Sequence, residues 1–155
     1  MVTIVRIATE TLHAITAETI ASGGREVCGL LLGGGDRILR HLPARNVAAD
    51  PCRAFEIDPA LLLAAHRDGR HGGPAPIGCY HSHPTGSPEP SARDAADAAP
   101  NGWLWLIATA ETARLWRAVP RGAVHGRFDP APFTCVNPGD APENAPHFRK
   151  TPPCP

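Results

Sequence analysis

Residues 2–8, VTIVRIA, are rich in β-branched side chains and predict a strand. In TETLHAITAETIASGG (9–24), Leu12, Ile15 and Thr19 fall on one helical face, with Thr9 as cap and Gly23-Gly24 as stop. VCGLLLGGG (27–35) is a continuous apolar run that predicts a buried strand entering a turn. RILRHLPARNV (37–47) predicts its partner, with Ile38, Arg40 and Leu42 on one side and Leu39 and His41 on the other. FEIDPALLLAAHRDG predicts a short extended piece and then a helix, with Asp58 as N-cap, Pro59 at its first position and Gly69 as stop. APIGCYHSH (75–83) predicts a strand, SARDAADAA (91–99) a short helix, and WLWLIAT (103–109) with ARLWRAV (113–119) a hairpin across AET. Mixed helices and strands around one core imply an α/β or α+β domain. The last twenty residues are polar and proline-rich, so the division expected is a domain over 1–135 and a tail over 136–155.

With 155 residues, one domain with a real core is expected. Fifteen basic residues balance fifteen acidic ones, with no basic run to track a polyanion, so no nucleic-acid partner is expected. No apolar run approaches the roughly 18 residues of a membrane span, and the N-terminus carries no uninterrupted apolar stretch of a signal peptide. A soluble, cytoplasmic protein is the expectation. The five cysteines are scattered with no CxxC pair, which fits reduced thiols rather than a disulfide framework.

The chemistry concentrates in GCYHSHPTGSPEPSARD, residues 78–94. Strand side chains alternate faces, so His81 and His83 point the same way, about 6.6 Å apart along the backbone. Tyr80 and Ser82 point to the other face, into packing. Pro84 ends the strand, and the loop leads to a helix whose first turn carries Asp94. Two histidines and a carboxylate are a ligand set for a catalytic zinc with an open fourth position. A water at such a position has its pKa brought from about 15.7 to roughly 7. Glu26, a polar residue at the mouth of an apolar strand, is the candidate proton acceptor. Each feature alone has a plainer explanation. Ser91 and Asp94 have capping-box spacing, an H-x-H occurs by chance, and Glu26 beside Arg25 fits a solvated turn.

The combination is more specific. Glu26, then His81-x-His83, seven residues, and Ser91-x-x-Asp94 resembles the JAMM, or MPN-plus, motif of the JAB1/MPN/Mov34 metalloproteases. The flanks EVCGLLLG and GCYHSHPTGSPEPS are similar to the short bacterial members, and the likeness extends over about residues 2–120. It implies a cytidine-deaminase-like α/β MPN domain, a mixed sheet flanked by helices. It also implies one zinc ion per chain on His81, His83 and Asp94, Glu26 as general base and then acid, and Ser91 at the substrate carbonyl and its oxyanion. The implied activity is peptide or isopeptide hydrolysis at the C-terminus of a ubiquitin-like or sulfur-carrier protein. The alternatives are a catalytically silent MPN scaffold, which would have gaps in the motif, and a zinc amidohydrolase of a small molecule. Nucleoside deaminases need a P-C-x-x-C pair that this chain lacks. Cys79 stands where many relatives carry a bulky aromatic. It shares the face of His81, but the His/His/Asp set is complete without it, and a small buried thiol is expected. His13, His41, His66, His71 and His125 are expected to be surface or packing residues.

Overall fold

The computed structural model describes residues 2–84 and 86–140. Among these, β1 (Val5–Ala8), α1 (Thr9–Ala21), β2 (Cys28–Gly34), β3 (Arg37–Ala44), α2 (Pro59–Arg70), β4 (Ala75–Ser82), α3 (Ala92–Asp97), β5 (Leu104–Ala108), β6 (Ala113–Gly122), β7 (Gly126–Pro130) and β8 (Phe133–Val136) follow in order. The strands form one eight-stranded mixed sheet in the order β7-β6-β5-β4-β2-β3-β1-β8. Strands β7 and β8 lie at opposite ends of that order, yet only Ala131 and Pro132 separate them in sequence. A flat sheet of this width would part its edges by roughly 34 Å, whereas two residues reach roughly 7 Å. The sheet therefore curls until its edges meet. Ala131 N–H donates to the Leu115 carbonyl and Val5 N–H to the Pro132 carbonyl, joining β6 to β1 across the seam.

Alternation along the strands then builds two apolar layers. Leu31, Tyr80, Leu104, Leu106 and Leu115 pack with Ile15 of α1 on one face. On the other face, Leu30 and Leu32 pack against Ala65 of α2, and Trp105 and Ile107 pack against Ala95 after the start of α3. At Gly29 a Cβ would lie 2.4 Å from both the Tyr80 ring and the Leu42 carbonyl. Glycine there lets the Tyr80 ring cross the sheet and reach Glu18 on α1 with a 2.8 Å hydrogen bond.

The structure departs from the sequence expectations at several points. Thr9 is the first helical residue, not the cap; Ala8 stands at the N-cap and offers no side-chain bond. Helix α2 runs through Gly69 to Arg70 and turns only at Gly72, whose φ is +93°. Gly69 instead admits the close approach of Ala75, whose Cα would lie 3.0 Å from an added Cβ. Ile38, Arg40 and Leu42 do not share a face. The β2–β3 register passes from Leu32↔Arg40 to Gly33↔Ile38, so Leu39 is an extra residue in β3. This bulge puts Ile38 in the α1-side core and Leu42 against the α2-side core. The pattern also gave no strands over 126–136, where β7 and β8 lie. Most of the tail expected over 136–155, residues 141–155 with His147 and Cys154 among them, falls outside the described residues.

Candidate metal centre

Strand β4 and helix α3 bring the three proposed ligands together. His81 lies on β4 and is fully buried, and His83 follows it, its N–H donating to the Ala108 carbonyl of β5 at 2.9 Å. Residues 86–90 lead into α3 and are pinned by Trp116, whose Nε1 donates to the Pro88 carbonyl at 2.9 Å. Ser91 caps α3. Its Oγ accepts from Asp94 N–H at 3.1 Å, and its own N–H donates to Asp94 Oδ2 at 2.8 Å. The capping box is therefore real, and it does not compete with ligation. It fixes the Asp94 carboxylate so that Oδ1 lies 3.2 Å from His81 Nε2 and Oδ2 lies 3.3 Å from His83 Nε2.

The two imidazole Nε2 atoms are 3.0 Å apart. Among the described residues, His81, His83 and Asp94 each offer a ligand atom, all within 4.8 Å of one another. Two ring nitrogens and a carboxylate converging from two elements fit a divalent cation of the zinc type. His83 Nδ1 is 2.9 Å from the Ser87 carbonyl, so it carries a proton; Nε2, which donates to Asp94 in the metal-free protein, would turn its lone pair to an ion once deprotonated. His81 Nδ1 is buried without a hydrogen-bond partner. Its ring is held by packing instead: Phe55 stacks on it at 4.2 Å and 17°, and Trp105 meets it edge-on at 5.9 Å.

Protonation states differ across the trio: burial lowers the His83 pKa, but hydrogen bonds to Asp94 and the Ser87 carbonyl outweigh it and raise it. Burial lowers the His81 pKa against the raising effect of Asp94, which keeps the ring neutral. Burial alone would raise Asp94, but hydrogen bonds from His81 and His83, with the Ser91 N–H, hold its carboxyl well below the usual range. Cys79 lies beside the site, yet burial, followed by Asp94, raises its thiol well above the ordinary value. It remains a protonated, buried thiol outside the ligand trio, as the sequence led us to expect.

Glu26 sits in the segment leading into β2 and is only 9% exposed. Burial raises its pKa to about 7; His83 and Arg93 lower it, and Asp94 raises it. It lies close enough to interact electrostatically with His83 and Asp94 without belonging to the trio. The structure thus brings all five motif residues to one place. Residue-by-residue reasoning missed Phe55 and Trp105, although the chain has few aromatics and these two flank one histidine. It also missed the acid partner of His41. Glu18 accepts from Tyr80 at 2.8 Å and lies 2.9 Å from His41 Nε2, on the sheet face opposite the ligands.

The described cysteines, Cys28, Cys52, Cys79 and Cys135, are all free thiols. No helix among the described residues is long and apolar enough to cross a membrane.

Comparison with known proteins agrees with this geometry. The chain is 38% identical over 96 residues to the desampylase of Haloferax volcanii, covering 59% of this chain and 69% of that one. It is 31% identical over 113 residues to tail tip assembly protein K of Escherichia phage N15, covering 73% and 44%. It is 33% identical over 87 residues to the probable TtuB-protein conjugate cleaving protease of Thermus thermophilus, covering 56% and 58%. The alignment thus spans about half the length of the last two. In fold, the chain is similar to a solution structure from Desulfitobacterium hafniense (TM-score 0.72, 23% identity, 86% of this chain and 94% of the other). It is also similar to a JAB1/MPN domain protein from Archaeoglobus fulgidus (TM-score 0.52, 16% identity, 83% and 97%). The family model for prokaryotic homologs of the JAB domain matches residues 8–119. With that match over most of its length, this chain belongs to the JAB/MPN family and is a short prokaryotic enzyme of the JAMM type.

Proposed function

We propose that the chain is a zinc-dependent isopeptidase or peptidase that cleaves at the C-terminus of a ubiquitin-like or sulfur-carrier protein. The observation that carries this is the convergence of His81, His83 and Asp94 within 4.8 Å beside a buried Glu26. Similarity to the desampylase and to the probable TtuB-protein conjugate cleaving protease supports the substrate class. His81, His83 and Asp94 would hold the ion, which would supply Lewis-acid chemistry at the acyl group. Glu26, with a pKa near 7, accepts the proton of the attacking water and returns it to the leaving amine. Ser91 is exposed, and its oxygen already accepts a hydrogen bond in the cap. Among the described residues its hydroxyl donates to no acceptor, and we assign it as donor to the developing oxyanion. A cleft of about 600 Å³ lined by Phe55, Leu62, Arg93, Trp103 and Trp105 adjoins the ligands and can take an extended tail.

The test is a panel of carrier–peptide fusions incubated with the purified full chain plus zinc. Release of the carrier with an intact C-terminus is expected, and chelation should abolish it. A zinc-loaded chain that cleaves none of the fusions but hydrolyses small amides would replace this proposal with the amidohydrolase alternative. Ser91→Ala should keep zinc and lose roughly 10²–10³-fold in rate, with about 1 kcal/mol of stability lost through the cap. A purely capping serine would change stability alone.

We assign the domain to residues 1–135, with β8 carrying it one residue further to Val136, and treat the segment after 136 as a tail dispensable for folding. The chain ended after 136 is expected to melt within roughly 8 °C of the full protein; a larger drop would make the tail structural. The reaction is placed in the cytoplasm, without membrane or nucleic-acid partners.

A further inference from the structure

We infer that Asn46 is a positioning residue for this site: its side-chain amide ties the backbone of Glu26 to that of Ala54, so that loop 46–57 sets both the proposed base and the aromatic ring on ligand His81. The inference rests on the proposed role of Glu26.

Glu26 precedes β2 and belongs to no regular element. Its N–H donates to the Pro51 carbonyl at 2.7 Å, and its carbonyl accepts from Asn46 Nδ2 at 2.9 Å. The same Nδ2 donates to the Ala54 carbonyl at 2.9 Å. Asn46 Oδ1 accepts from Ala48 N–H at 3.0 Å and Glu56 N–H at 3.1 Å. Both amide donors and both acceptor positions of this side chain are therefore used. Phe55 comes next after Ala54, and its ring stacks on His81 at 4.2 Å while meeting Trp105 edge-on at 5.8 Å.

Burial alone does not fix this loop. Between Val47 and Arg53 no residue is buried, and a single bridge, Asn46↔Ile57, closes it. The polar tie through Asn46 supplies what packing does not. On the far side of Glu26, Val27 N–H donates to Ser82 Oγ at 2.9 Å, and Ser82 N–H donates to the Val27 carbonyl at 3.0 Å. Ser82 lies between the two ligand histidines. The backbone at Glu26 is thus gripped by the loop on one side and by the ligand strand on the other. Misplacing a reacting group by about 1 Å can cost on the order of 10²-fold in rate, so such a grip has catalytic consequences.

Asn46→Asp breaks the tie, and Asn46→Ala is the control that breaks it without adding a charge. Asn46→Asp keeps the acceptor oxygen for Ala48 and Glu56 and removes both donors to Glu26 and Ala54. We expect kcat to fall by roughly 10–100-fold with KM within about threefold, and zinc content to match the parent. In metal-free and zinc-loaded protein alike, without substrate, the Glu26 amide hydrogen should exchange at least about tenfold faster, while amides of β5 and α1 are unchanged. An unchanged Glu26 exchange rate, an unchanged kcat, or a rate loss that tracks zinc loss would each overturn the inference. So would failure to fold, checked also with Asn46→Ala, since Asn46 would then be a residue of the fold. If the parent itself cleaves no conjugate, the proposed function fails separately, and the exchange rates still decide whether Asn46 holds Glu26.

Discussion

Glu26→Gln is expected to lower conjugate hydrolysis by on the order of 10²–10⁴-fold while zinc content stays that of the parent. The glutamine keeps the size and hydrogen bonding of the side chain but cannot accept a proton. The structure makes the separation between base and ligand testable, because Glu26 lies beside the trio and not within it. If the substitution removes the ion, Glu26 is a ligand and the proton acceptor lies elsewhere. The same variant carries a stability signature in the metal-free protein. Burial raises the Glu26 pKa from 4.5 to about 7. Below pH 4.5 the group is largely neutral whether folded or unfolded and costs nothing. Above pH 7 the fold must hold an ionised, desolvated carboxylate, and stability is lost. Glu26→Gln should therefore raise the Tm relative to the parent more at pH 8 than at pH 4, measured in chelator. Equal shifts at both values would mean that the carboxyl is not desolvated.

Replacing His81 and His83 together by alanine should abolish stoichiometric zinc binding. The expected weakening exceeds the roughly 10–100-fold that follows loss of an outer hydrogen-bond partner, because two of three ligand atoms disappear. Metal analysis after dialysis checks it, and tight retention of one equivalent would remove the assignment. Copurified nickel or iron in the parent would not, since affinity order alone does not select zinc. The variant also leaves Asp94 without the hydrogen bonds from His81 and His83 that hold its carboxyl low. It empties the space between Phe55 and Trp105 as well. A lower Tm is thus expected even without metal, so circular dichroism should accompany the metal measurement.

The ligand trio was legible because each part is a local, periodic signal. Two residues apart on a strand means one face, which sets His81 and His83 side by side. Three residues after an N-cap serine means a carboxylate turned back to the helix start, and the observed capping box holds Asp94 there. The hairpin of β5 and β6 and the antiparallel pair of β2 and β3 were legible for the same reason. Glu26 was noticed through a conflict, a carboxylate where the following strand is apolar, but its distance to the histidines was not written in the chain.

By itself, then, the sequence determined the elements whose side-chain period is unbroken, and the chemistry those periods align. Tertiary structure alone decided whatever depends on pairing between distant segments. The extra residue at Leu39 leaves no mark in composition, yet it sends Ile38 and Leu42 to opposite faces. Strands β7 and β8 are only five and four residues long and pair across the ends of a curled sheet, so no run of their own announces them. The carboxylate shared by Tyr80 and His41, and the hold of Asn46 on Glu26, join positions 62, 23 and 20 residues apart. Hydrogen bonds of that span carry no periodicity, and only the folded chain brings their partners within reach.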